Sequence, residues 1–171
     1  MKRIIFDTSV YGELVIDHNS VSKIEKLIEA KKVLIYGNKV IRDELREVSA
    51  KSKLGRYSKR ILLLSLYDKL VSGHEIKIGD ITKILSEKYY EEYKKLGGAE
   101  PFQDMEDDFV IIASASLKEL DIVVSHDTKT MISGLAVSAY KKINLANGLR
   151  SPNFIPYAEY KKKLNFIDPP I

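Results

Sequence analysis

Three short apolar runs, Ile4-Ile5-Phe6, Val33-Leu34-Ile35-Tyr36 and Ile122-Val123-Val124-Ser125, are separated by segments whose apolar residues recur every three to four positions. Runs of four or so β-branched and aromatic residues predict buried strands, and the spacing between them predicts amphipathic helices. Strand, helix, strand in that order builds a parallel βαβ unit, since parallel neighbours need a helical crossover. The chain therefore reads as α/β.

The first run, over residues 2–7, ends on Asp7 and is followed by Thr8 and Ser9, both helix-capping types. Ile24, Leu27 and Ile28 carry a helix to Lys31-Lys32, and Gly37-Asn38 closes the second strand. Val40, Ile41, Glu44, Leu45 and Val48 fall at helical spacing, and after a break at Gly55 residues 61–70 form another helix. Residues 81–96 predict a helix carrying Tyr89, Tyr90 and Tyr93 that stops at Gly97-Gly98. Pro101 stands at the first turn of the next helix, 102–120. A further helix spans 131–143, and Asn153-Phe154-Ile155-Pro156 is a last strand whose proline places it at a sheet edge. No repeat, low-complexity tract or linker interrupts the sequence, so 1–171 reads as one domain.

Composition limits the chemistry. The chain has no Cys and three His, which excludes a disulfide scaffold, a thiolate metal site and a Cys nucleophile. With 44% hydrophobic residues it has the apolar content for a core. No stretch approaches the roughly 18 uninterrupted apolar residues of a membrane span, so a cytoplasmic protein without membrane association is expected. What remains is carboxylate chemistry.

Four acids stand where such chemistry needs them. Asp7 and Asp127 follow the first and third apolar runs; in a parallel sheet both lie on the rim where ligands bind. Asp108 opens the apolar stretch Phe109-Val110-Ile111-Ile112-Ala113-Ser114-Ala115 and shares a helical face with Asp104, Ile111, Ile112 and Ala115. An acid entering the core needs a partner. The helix dipole accounts for Glu106 and Asp107, whereas Asp104 is read as a supporting residue. Glu44 shares the side of Val40, Ile41 and Val48, unlike Asp43. Taken singly, Asp7 and Asp127 read as helix caps before ligands, and Glu44 as a salt-bridge partner of Lys51, Arg42 or Arg46. Taken together, acids without clustered His or Cys call for a hard cation, Mg²⁺ or Mn²⁺.

In order and setting these acids resemble the PIN-domain ribonucleases, and within them the VapC-like toxins of toxin–antitoxin pairs. Asp7-Thr8-Ser9 looks like the family's opening acid with its small polar follower. Val40-Ile41-Arg42-Asp43-Glu44-Leu45 is similar to its glutamate helix, Asp108 to Ala115 to its third-acid motif, and Ser125-His126-Asp127 to its hydroxyl-any-acid tripeptide. The resemblance spans residues 1 to about 155. It implies a three-layer α/β/α sandwich with a central mostly parallel sheet and a metal-dependent endoribonuclease in which Asp7, Glu44, Asp108 and Asp127 hold Mg²⁺ or Mn²⁺. Ser9 and Ser125 would then orient the carboxylates or the scissile phosphate. An RNA substrate, a small antitoxin and a homodimer are the implied partners. The chain departs from the pattern at Lys129, where the family often has an acid; a lysine there either weakens a second metal site or serves instead as a phosphate contact. The segment from Ser72 to Gly98 is also longer than a compact toxin needs.

Charge is segregated. Residues 39–60 hold eight bases against three acids, residues 141–163 six bases against one, and residues 100–108 five acids and no base. Basic helices beside an acidic cleft suit a polyanion, and Arg42 and Arg46, next to Glu44, join Lys129 as expected substrate contacts. Tyr89, Tyr90 and Tyr93 could stack bases, although tyrosines on one side of a helix more often pack. A phospho-acceptor receiver domain would need an acidic pair at the first strand end, and a haloacid-dehalogenase-type phosphatase a second Asp where Ser9 stands. The other readings are a catalytically silent PIN scaffold that binds RNA or protein, and an RNA-processing PIN nuclease that is not a toxin.

Overall fold

The computed structural model describes residues 1–167. From the N-terminus it runs through β1 (Lys2–Phe6), α1 (Thr8–Leu14), α2 (His18–Glu29), β2 (Val33–Asn38) and α3 (Lys39–Glu47). A small hairpin follows, β3 (Lys53–Leu54) and β4 (Tyr57–Ser58), and then α4 (Lys59–Val71), β5 (Glu75–Ile76), α5 (Asp80–Lys95) and α6 (Phe102–Leu117). The chain continues through β6 (Ile122–Ser125), α7 (Gly134–Ala146), β7 (Asn153–Pro156) and α8 (Tyr157–Ile167).

Five strands form one sheet in the order β5-β2-β1-β6-β7, every pair parallel. Ile5 is central, aligned with Tyr36 of β2 on one side and Val123 of β6 on the other. Ile4, Ile5 and Phe6 are all buried, so both faces of β1 are covered. That is the signature of a parallel sheet between two helical layers, and the architecture is the three-layer α/β/α sandwich expected from the sequence. Pro156 lies at the end of the edge strand β7, where a missing N–H leaves no ladder bond unmade.

Local differences from the sequence reading have physical causes. Gly37 and Asn38 extend β2 instead of closing it, because the Gly37 N–H donates to the His74 carbonyl (3.1 Å) and β5 pairs there. Gly55, read as a break between helices, is the hairpin turn, with φ of 58°. The helix expected from residue 131 starts at Gly134, capped by Ser133 Oγ accepting from the Ala136 N–H (3.3 Å). Helix α8 and the two-residue strands β3, β4 and β5 have no counterpart in the sequence reading.

The tyrosines of α5 are packing residues. Tyr89, Tyr90 and Tyr93 surround Phe109 of α6 at 6.5, 6.1 and 5.9 Å between ring centroids, and Tyr140 of α7 closes the cluster at 5.6 Å. Edge-to-face arrangements of this kind are worth about 0.5–1.5 kcal/mol per pair beyond the area they bury. Beside it runs a buried polar network. The Tyr89 hydroxyl donates to Asn144 Oδ1 (2.5 Å), and the Asn144 amide donates to Ser116 Oγ and Ser151 Oγ, each at 3.0 Å. Together these contacts fix α5, α6 and α7 as a unit, and with them the residue preceding Phe109, Asp108.

A carboxylate site at the strand crossover

From β1 the chain moves outward to β2 and β5, then returns to place β6 against the other side of β1 and moves on to β7. The order reverses between β1 and β6. Beyond the carboxyl ends of the strands such a reversal leaves a crevice, since the connecting segments leave in opposite directions. Asp7 follows β1 and Asp127 lies two residues beyond β6, so both flank that crevice.

Short side-chain hydrogen bonds join the two strand ends. Asp7, only 5% exposed, accepts from the Thr8 N–H (2.7 Å), Ser9 Oγ (2.6 Å) and Ser125 Oγ (2.9 Å). Ser9 Oγ in turn accepts from the His126 N–H (3.0 Å), and Ser125 Oγ from the Asp127 N–H (2.9 Å). Both serines thus span from one acid to the backbone carrying the other. Asp7 is also the N-cap of α1, so one carboxylate both caps the helix and bonds the β6 end.

Asp127 is organised by its own loop. Its Oδ1 accepts from the N–H groups of Lys129 (3.0 Å) and Thr130 (2.9 Å), and the Thr130 hydroxyl donates to Oδ2. Burial opposes its ionisation, but the bonds from Thr130 and Lys129 outweigh it and hold this carboxyl below its usual value. It stays an anion.

Glu44 and Asp108 complete the group. The Thr8 hydroxyl donates to Glu44 Oε2, linking α1 to α3. Burial raises Glu44 to about 7 against the pull of that hydroxyl, and the charges of Asp7, Asp107 and Glu47 add to the rise. Burial pushes Asp108 up to about 8, with Asp7, Asp127, Glu44 and Asp107 each adding repulsion. Asp108 has no hydrogen bond or ion pair among the described residues. Fixed by the aromatic packing around Phe109, it cannot retreat from its neighbours. Among the described residues no three Asp, Glu or His side chains stand as a ready ligand set about one point; the four acids are electrostatically coupled neighbours.

The other residues singled out in the sequence sit as follows. Asp104 is exposed in the first turn of α6. Arg42 forms a two-point pair with Asp68 of α4 (3.1 and 3.2 Å), and Arg46 pairs with Asp43 (3.2 Å), so both guanidiniums are engaged. Lys129 is exposed on the wall of a cleft of about 420 Å³ that His126, Asp127 and Tyr157 also line. Three contributors escaped the sequence reading. Thr8 positions Glu44, Thr130 positions Asp127, and Asp107, assigned to the helix dipole alone, adds its charge to both Glu44 and Asp108. Thr8 was the most legible of these, being a hydroxyl next to a strand-end acid.

No protein-family model and no curated protein matches the chain. Solved structures do. A chain in the crystal structure of VapBC2 from Rickettsia felis bound to a DNA fragment from their promoter superposes with a TM-score of 0.60 at 13% identity, covering 90% of this chain and 98% of that one. A chain in DNA-bound VapBC from Salmonella typhimurium gives 0.58 at 12% identity, covering 92% and 99%. At these identities the likeness establishes the fold, which is PIN-like and agrees with the resemblance drawn from the four acid motifs. Among the described residues no helix is long and apolar enough to cross a membrane.

Proposed function

We propose that this protein is a metal-dependent endoribonuclease of the PIN type, acting through Asp7, Glu44, Asp108 and Asp127, and that it is the toxin of a toxin–antitoxin pair. The observation that supports the chemistry is the electrostatic coupling of these acids beside the β1–β6 crossover, where burial and the charges of neighbouring acids push Glu44 up to about 7 and Asp108 up to about 8. Acids shifted by burial and by specific charged neighbours in a crevice mark a candidate catalytic centre.

The residues fit a hard divalent cation. All the donors are carboxylate oxygens, Asp108 lacks any competing partner, and Asp7 retains acceptor capacity on Oδ1 beside its bond from Thr8. Mg²⁺ or Mn²⁺ held there supplies Lewis-acid polarisation of a phosphoryl oxygen and lowers the pKa of the attacking water. Ser9 and Ser125 keep Asp7 and the Asp127 loop in register, a role whose loss in metal sites typically weakens binding or activity about 10–100-fold. Lys129, beside Asp127, holds a substrate phosphate. Arg42 serves first to anchor α3, and with it Glu44, to α4 through Asp68, while Arg46 pairs with Asp43 within α3.

The toxin assignment draws on the two similar structures, both VapBC complexes; an antitoxin is the partner proposed from them, and a second copy of the chain is proposed from the family resemblance alone. Purified protein is expected to cut RNA in Mn²⁺ or Mg²⁺, to stop in EDTA, and to be inactive as Asp108→Asn. Cutting by Asp108→Asn at the wild-type rate would overturn the site. Growth arrest on expression, relieved by a co-expressed small protein from the same operon, tests the toxin role; active nuclease without arrest would leave an RNA-processing enzyme.

A further inference from the structure

The structure divides the basic stretch between α3 and α4 into two parts that the sequence runs together. On α3 the charges are answered: Lys39 and Arg46 by Asp43, Arg42 by Asp68. Residues 51–60 contain five bases, Lys51, Lys53, Arg56, Lys59 and Arg60, and no acid. None of the five forms an ion pair among the described residues.

Lys53 and Arg56 lie on the β3–β4 hairpin, Lys51 just before it, and Lys59 and Arg60 open α4 just after it. Lys53 aligns with Ser58 and Leu54 with Tyr57, while the Lys59 N–H donates to the Ser52 carbonyl (2.9 Å), closing the base. Leu54 packs against the core and anchors the hairpin. Tyr57, by contrast, is 54% exposed, and the Arg56 guanidinium lies over its ring at 5.2 Å from the centroid. An exposed aromatic ring beside uncompensated cations is the pairing that holds single-stranded nucleic acid, with bases stacking on the ring and phosphates neutralised around it.

The hairpin is also tied to the site. Glu44 lies one helical turn before the end of α3, and Arg60 donates to the Arg46 carbonyl (3.5 Å) at that end. From Glu44 to Lys51 the chain can reach at most about 25 Å, within the roughly 4–16 nucleotides a single-strand groove engages.

We propose that the β3–β4 hairpin is an RNA-holding arm that binds a single-stranded segment of the substrate beside the carboxylate site, through Lys51, Lys53, Arg56 and the face of Tyr57. This rests on RNA being the substrate, and its test is made with hydrolysis switched off so that the two claims separate. The probe is a fluorescent single-stranded oligoribonucleotide of about 20 nucleotides, titrated in EDTA over a range of salt. Lys51→Gln/Lys53→Gln/Arg56→Gln is expected to raise Kd about tenfold and to lower the slope of log K against log salt by about 2, near 0.7 for each phosphate no longer neutralised. Removing the same charge elsewhere, as Lys94→Gln/Lys95→Gln/Lys162→Gln, leaves the slope within about 0.5 of wild type if the arm holds the strand. Tyr57→Ala, at an exposed position that should not disturb folding, is expected to weaken binding about fivefold or more through the missing stacking surface. Equal effects from the two triple variants, or wild-type binding by the arm triple, would overturn the proposal. So would an arm triple that loses poly-glutamate as strongly as RNA while Tyr57→Ala binds RNA normally, since that outcome marks an acidic-protein contact. Loss of RNA binding by the arm variants in a protein that never cuts RNA would support the arm and refute the nuclease.

Discussion

Asp108 is held where its charge is least welcome. Burial and the charges of Asp7, Asp127, Glu44 and Asp107 raise it to about 8, far above the ordinary carboxylate range, and Glu44 follows at about 7. When a folded-state carboxyl is raised, the folded chain binds more protons than the unfolded one between the two values, so stability falls as pH rises through that window. Below about pH 4 both states are protonated and the effect is absent; above about pH 8 the full penalty stands. The metal-free protein should therefore lose stability steadily from about pH 5 to about pH 8.5. Asp108→Asn should remove much of that slope and be about 1–3 kcal/mol more stable than wild type at about pH 8, while losing activity. Urea unfolding in EDTA at several pH values checks this. A stability curve that is flat over that range, or a destabilised Asp108→Asn, would show that the four acids are better solvated than their burial indicates.

Among the elements, legibility followed length and repetition. The three apolar runs became β1, β2 and β6, because strands buried on both faces leave no room for polar residues. Asp7, Glu44, Asp108 and Asp127 were legible because each stands at an element boundary or on a helical face next to apolar neighbours. Strands of two residues carry no period, so β3, β4 and β5 were invisible; β3 and β4 are fixed by each other, and β5 by β2, which is distant in sequence. Ion-pair partners were equally hidden. Nothing near Arg42 announces Asp68, which lies 26 residues away on another helix. The same holds for Asn144, whose neighbours in sequence give no signal but whose side chain bonds Tyr89, Ser116 and Ser151 in a fully buried site. Asn144→Ala would remove the amide that joins Tyr89, Ser116 and Ser151, leaving the Tyr89 and Ser116 hydroxyls only each other, and each core group left unsatisfied costs about 1–3 kcal/mol. We expect a loss of about 2–4 kcal/mol on urea unfolding. Because α5 and α7 sit behind Phe109 and not at the carboxylates, metal affinity of the fraction still folded should change far less than stability does. A shift below about 1 kcal/mol would mean that water replaces the amide.

At the scale of the molecule, the +4 net charge is the remainder of a separation: acids gathered at the crossover, bases on the hairpin and along the C-terminal third. A fold that concentrates like charges is strained until a counter-charge arrives, and a divalent cation that binds only the folded chain adds stability by mass action. At about a hundred times its Kd the gain is about 2.7 kcal/mol, or a rise in Tm of about 5–10 °C for a domain of this size. Mn²⁺ or Mg²⁺ should therefore raise Tm in proportion to the logarithm of its concentration. The rise should be larger at about pH 7.5 than at about pH 5.5, because protons compete for Asp108 and Glu44. Asp7→Asn/Asp108→Asn should be insensitive to either ion, although its starting Tm differs. Calorimetric scans with and without the metal separate the two effects. An equal metal-induced rise in the double variant would place the cation elsewhere on the molecule, and no rise in wild type at millimolar Mn²⁺ would mean that these carboxylates do not hold it.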